Sequence, residues 1–185
     1  AAPATHIPLS RIREAPNAVI QTATAIGHQY VVCPWLPKAE RGSIDDYSEL
    51  ATELSAFGQR CTDAGLQFAY HNHDFEFEKM DGTRPYDVLL QETDPAHVKM
   101  EIDLYWVVEA GVDPLAYIKQ NPARYPLCHV KDRGPNGRMT PVGEGTMDFA
   151  ALFQQAQFEH YFVEHDNPED PMQSIKTSHQ TLSTL

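Results

Sequence analysis

Three short apolar runs end in residues able to hold a cation: Met100-Glu101-Ile102-Asp103, Leu127-Cys128-His129-Val130 and Tyr161-Phe162-Val163-Glu164. A fourth, Phe68-Ala69-Tyr70, ends in His71-Asn72-His73. A carboxylate set directly after Phe162-Val163 loses much of its hydration and must be paired or bound to a cation. Asp103 can supply one ligand oxygen or cap a helix, and His129 can be a ligand or a core histidine satisfied by its neighbours. Three such residues at successive run ends point to a divalent-metal site more strongly than any one of them. Mixed carboxylate and imidazole donors suit Mn²⁺, Zn²⁺, Fe²⁺ or Co²⁺ better than Ca²⁺, and Mn²⁺ is favoured.

Such residues act together only if the elements bearing them converge. Runs of about five residues with polar ends, separated by helix-length gaps, are the pattern of parallel strands in a β/α barrel, whose carboxyl ends share one face. The sequence predicts an extended segment at residues 5–9, a helix at 16–27 and a strand at 29–33. A helix at 43–64 comes next, begun by Ser43 and closed by Gly65, then a strand at 67–71. Further helices are expected near 85–91, 113–120, from 148 and over 170–182, with strands at 98–103, 127–130 and 161–164 and a polar, Gly-rich loop at 133–145. Glu76 and Glu78 alternate as in a strand extension, and Glu144 belongs to a solvated loop.

This gives about six β/α units in a single domain over residues 1–185. A full eight-fold barrel takes roughly 250 residues, so the expectation is a (β/α)8 barrel that is N-terminally incomplete, with an open six-stranded sheet as the rival. A net charge of −12 opposes a nucleic-acid partner, and no apolar run approaches the roughly 20 residues of a membrane span. Cys33, Cys61 and Cys128 form no CxxC pair and read as buried thiols in a reducing compartment, which with the absence of a visible signal peptide suggests a cytoplasmic location. An open sheet edge can pair with a second copy, so a homodimer is among the expectations.

Glu-Ile-Asp-Leu-Tyr-Trp, His-Val-Lys-Asp, Gly-Glu-Gly-Thr-Met-Asp-Phe and Val-Glu-His-Asp resemble, in order and spacing, the sugar phosphate isomerase/epimerase superfamily, the xylose isomerase-like TIM barrels. The resemblance runs over essentially the whole chain from the third barrel strand onward. It implies a metal held by His71, Asp103, His129 and Glu164, with His71 standing where the family usually has Glu. It also implies an isomerase or epimerase acting on a sugar, keto-sugar or sugar phosphate through an enediolate. Glu164 is then a base as well as a ligand, with His71 or His73 opposite and Lys131 holding a substrate oxygen. Trp35 and Trp106 can stack on a sugar ring, and His6 and His73 complete the substrate-binding set.

Exchange of the first glutamate for His71 disfavours a symmetric two-carboxylate epimerisation. A keto-glycoside lyase or dehydratase needs only one base and fits the same site. Phosphodiester cleavage, as in the endonuclease relatives, requires a basic face that this chain lacks. A non-catalytic sugar- or metal-binding barrel fragment is the remaining reading.

Overall fold

A computed structural model describes residues 2–185, and the chain forms two compact units, residues 1–101 and 102–185. In the first, β1 (Ala4–His6), β2 (Tyr30–Cys33), β3 (Gln67–His71) and the start of β4 (Val98–Asp103) lie side by side in chain order, all parallel. Parallel neighbours require helical crossovers. These are α1 (Leu9–Glu14) with α2 (Pro16–Ile26), then α3 (Ile44–Asp63), then α4 (Pro85–Glu92). Gly27, at φ +88, ends α2 in the left-handed conformation that a side chain would disfavour. The Ser43 hydroxyl accepts from Asp46 N and starts α3 as expected, with Asp45 and Asp46 in its positive first turn.

The strands are apolar because both faces are covered. Val31, Val32, Phe68, Ala69, Val98 and Met100 are fully buried, and α3 packs Leu50, Leu54, Phe57 and Cys61 inward. Gly58 marks a close approach of α3, since a Cβ there would lie 2.6 Å from the His97 carbonyl.

The second unit takes the end of β4 into α5 (Leu104–Glu109), then α6 (Pro114–Gln120), β5 (Leu127–Val130), the two-residue strands β6 (Asp132–Arg133) and β7 (Met139–Thr140), α7 (Phe149–Gln155), β8 (His160–Val163) and α8 (Pro171–Leu182). Strands β5 and β8 are parallel, with His129 opposite Phe162 and Val130 opposite Val163. Aspartates cap four of these helices: Asp103, Asp113, Asp148 and Asp170 each accept a backbone N–H from the first turn. Among the described residues no helix is long and apolar enough to cross a membrane.

The segment expected to be an irregular loop holds a hairpin, β6 paired antiparallel with β7. The buried Asp132 carboxylate organises the turns around it: Oδ2 accepts from Gly143 N and Gly145 N, and Oδ1 from Arg133 N and Met147 N. A Cβ on Gly145 would collide with that carboxylate, which explains the glycine.

The strand extension expected at Glu76 is absent. Phe75–Phe77 is a 3-10 helix, and Glu76 is fully buried because its oxygens take donors from Tyr70 and from the backbone after β3.

Candidate active site

In the first unit, register places His71 at the end of β3 directly opposite Glu101 on β4. His6 Nε2 lies 2.6 Å from Glu101 Oε2, and the His6 and His71 rings are 5.5 Å apart. His73 sits edge-on to His71 at 5.0 Å and stacks on Phe75. His71 Nδ1 is 3.1 Å from the Pro34 carbonyl, which can only accept. A neutral ring donating from Nδ1 carries its lone pair on Nε2, the form in which metal-binding histidines are held. Glu76 supports this cluster from behind: Tyr70 OH donates to Oε1 at 2.6 Å and His73 N to Oε2 at 2.8 Å. Burial pushes the Glu76 carboxyl up to about 7, against these two donors.

In the second unit, Asp103, His129 and Glu164 bring three donor atoms together. His129 Nδ1 lies 2.7 Å from Glu164 Oε2 and 3.8 Å from Asp103 Oδ2. Lys131 Nζ is 3.1 Å from the same Asp103 oxygen, 2.9 Å from the same Glu164 oxygen and 3.4 Å from Asp166 Oδ2. This lysine is 2% exposed, so the surface position that its type would suggest is not the one it occupies. Burial lowers its ammonium, but Asp103, Glu164 and Asp166 outweigh that and hold it above the usual lysine value. The hydrogen bond from His129 and the charge of Lys131 hold the Glu164 carboxyl well below the usual carboxylate range, against its partial desolvation.

Asp103 both caps and faces the cluster: Trp106 N donates to Oδ1 at 3.1 Å while Oδ2 faces Lys131 and His129. The cap starts α5 and so places Tyr105 and Trp106, which with Glu164, Asp166 and the Gly137–Met139 turn line an open cavity of about 760 Å³. Tyr105 OH donates to the Gly137 carbonyl and pins that turn. The Lys131 ammonium lies 5.8 Å from the Trp106 ring centre. Trp35, 46% exposed, belongs to the first unit and stands beside Arg41, while Glu144 is exposed as expected.

Asp103, His129 and Glu164 are donor types that a divalent ion takes, and in this structure their facing atoms are engaged with one another and with the Lys131 ammonium. The sequence pattern gave no role to Glu101 or Asp166, and it set Glu76 in a strand extension rather than in the 3-10 turn beneath the histidines. The signal for Glu101 was its position two residues before Asp103, which gives both the same face of a strand.

Parallel strands whose carboxyl ends bear carboxylates and imidazoles define a β/α-barrel enzyme class with a polar, metal-compatible active face. A family model for the xylose isomerase-like TIM barrel matches residues 11–184, and the chain belongs to that family. It is similar to an inosose dehydratase of Lacticaseibacillus casei, 28% identical over 131 residues that are 61% of this chain and 43% of that protein. The chain thus spans less than half the length of the curated relatives it matches. A sugar phosphate isomerase/epimerase from Parabacteroides distasonis superposes with TM-score 0.80 at 25% identity, covering 97% of this chain and 69% of the other. The fold also matches the IOLI protein with a bound zinc atom, at TM-score 0.72 and 18% identity, over 95% and 69% of the two chains.

Proposed function

We propose that residues 1–185 act as one barrel domain of a divalent-metal-dependent isomerase or epimerase on a keto-sugar or related sugar. The observation that supports this reading is the ion-paired cluster of Asp103, His129, Glu164 and Lys131 at strand ends. His71, Asp103, His129 and Glu164 would hold the ion, Mn²⁺ by preference. The zinc atom of the IOLI neighbour supports a divalent ion in a barrel of this kind. Bound there, it supplies Lewis acidity toward a carbonyl and an adjacent hydroxyl.

The chain's own groups do the rest. Glu164, the carboxylate beside His129 and Lys131, would accept the proton α to the carbonyl. The Lys131 ammonium is placed to donate to the oxygen on which charge develops, and Tyr105 and Trp106 wall the cavity against a sugar ring. His73, which is not among the proposed ligands, would return a proton on another face or carbon.

A dehydratase is the second reading, favoured by the inosose dehydratase relatives and by a histidine at the first ligand position, since elimination needs only one base. Both share proton abstraction and differ in what leaves the enediolate. A cytoplasmic enzyme, able to pair as a homodimer, accompanies either.

Elemental analysis of dialysed protein, with Asp103→Ala and Glu164→Ala beside it, tests the site. One ion per chain, lost in both variants, is expected, together with deuterium entering a keto-sugar in D₂O. Folded protein that binds no metal would overturn the reading. Exchange without loss of water selects the isomerase; loss of water selects the dehydratase.

A further inference from the structure

In a chain of net charge −12, arginines readily find carboxylates. Arg13 grips Glu40 and Glu53, Arg133 holds Glu109, and Arg11 lies near Glu14. Among the described residues Arg41 and Arg84 have no ion pair and each has a buried Nε without a hydrogen-bond partner, but Arg41 is the arginine set over aromatic rings. Its guanidinium carbon lies 3.5 Å from the Phe75 ring centre and 5.2 Å from that of Trp35.

The surrounding loop is built to hold it there. A 3-10 helix at Lys38–Glu40 ends at Arg41, and Gly42 packs so tightly on Asp46 that a Cβ would lie 2.9 Å from its carboxylate. Ser43 then fixes the start of α3. Glu76, the buried acid that feels the Arg41 charge, is occupied by Tyr70 and His73. Aromatic contacts leave the in-plane N–H fork of a guanidinium available, and that fork matches a carboxylate or phosphate with two parallel hydrogen bonds. Phe75 stacks on His73, which lies edge-on to His71, so the cation belongs to the same end of β3 as the histidines.

We infer that Arg41 anchors an anionic group, carboxylate or phosphate, on the substrate. Resting on the sugar-enzyme reading above, this makes the substrate a negatively charged sugar whose anionic group is terminal, separated from His71 by the Phe75 and His73 rings. Trp35 flanks the anchor, and Arg41 is the residue that separates charged from neutral sugars.

Calorimetric titration of the whole chain, in the absence of metal, with two matched pairs tests this: D-fructose 6-phosphate against D-fructose, and D-glucuronate against D-glucose. At least one anionic sugar should bind about tenfold or more tightly than its neutral partner, as expected for a bidentate charge-assisted pair. The pair showing the preference identifies phosphate or carboxylate. Arg41→Gln should abolish the preference, weakening the anionic sugar far more than its neutral partner, and Arg41→Lys should retain part of it. With Trp106→Phe leaving Trp35 as the single tryptophan, emission should respond to the preferred sugar, and not once Arg41→Gln is added.

Equal affinity within both pairs, no saturable binding of either anionic sugar, or a preference that survives Arg41→Gln would overturn the inference. Metal binding with no such preference sinks Arg41 alone. A preference without metal binding sinks the metal site and leaves Arg41 standing.

Discussion

Glu76 makes folding depend on pH in a way that one substitution isolates. Its carboxyl is fully buried and is pushed up to about 7, against an ordinary value of 4.5. Below the unfolded value both states are protonated and the native state keeps its full stability. As pH rises from 4.5 toward 7 the unfolded chain ionises first, and stability falls until the folded carboxyl ionises too. At about 1.4 kcal/mol per unit, the loss reaches about 3 kcal/mol above neutrality. Glu76→Gln removes the titration while its amide oxygen can still accept from His73 N. For a chain of this size, 1 kcal/mol corresponds to roughly 2–4 °C in Tm. The variant should therefore gain roughly 6–12 °C relative to wild type between about pH 4.5 and about pH 8. Paired thermal melts across that range measure the difference between the two proteins, in which other titrating groups cancel. A difference that does not change with pH would refute the reasoning, because the folded carboxyl would then ionise where a solvated one does.

Three other substitutions or treatments have defined outcomes. Asp132→Ala deprives four backbone N–H groups of their acceptor and should cost about 3 kcal/mol in urea unfolding, since each donor left unsatisfied in the interior costs about 1–3 kcal/mol before water re-enters. Lys131→Met leaves Asp103, Glu164 and Asp166 without their shared cation and should lower metal-free stability by about 3 kcal/mol or more, with most of it restored by added Mn²⁺ in the same melt. The three free cysteines are buried, and burial pushes Cys33 and Cys61 up to about 12. Iodoacetamide at about pH 8 should leave the native thiols unmodified by mass spectrometry and label all three in urea.

The strands were the most legible part of the fold. Residues 98–103 alternate apolar with charged side chains and residues 127–130 are a short apolar run, and the structure begins and ends both strands at the expected residues. Helix α5 was hidden because β4 passes into Leu104-Tyr105-Trp106-Val107 with no turn residue between them. The break comes from the Asp103 side chain taking a backbone donor, an event without a compositional signature. Helix α1, six residues long, is too short to show a period. At Phe75-Glu76-Phe77 the alternation suggested a strand, but a buried carboxylate that needs donors bends the chain back toward β3.

In the site, Asp103, His129, Lys131 and Glu164 were legible because polar groups at the ends of apolar strands have few other reasons to be there. His6, His71 and His73 also prove to be neighbours in the first unit. Arg41 was not legible, since what distinguishes it is its place over the Phe75 and Trp35 rings, which lie in separate segments of the chain.

The double engagement of Asp103 bears on how variants of this chain must be designed. One oxygen holds the first turn of α5 and the other faces Lys131 and His129. Alanine there deletes the proposed ligand and also unfastens the helix that carries the cavity's aromatic wall, so loss of metal in Asp103→Ala cannot by itself be assigned to either. Asparagine, whose amide oxygen can still accept from Trp106 N, separates the two, and the pair of variants turns one ambiguous residue into two independent measurements.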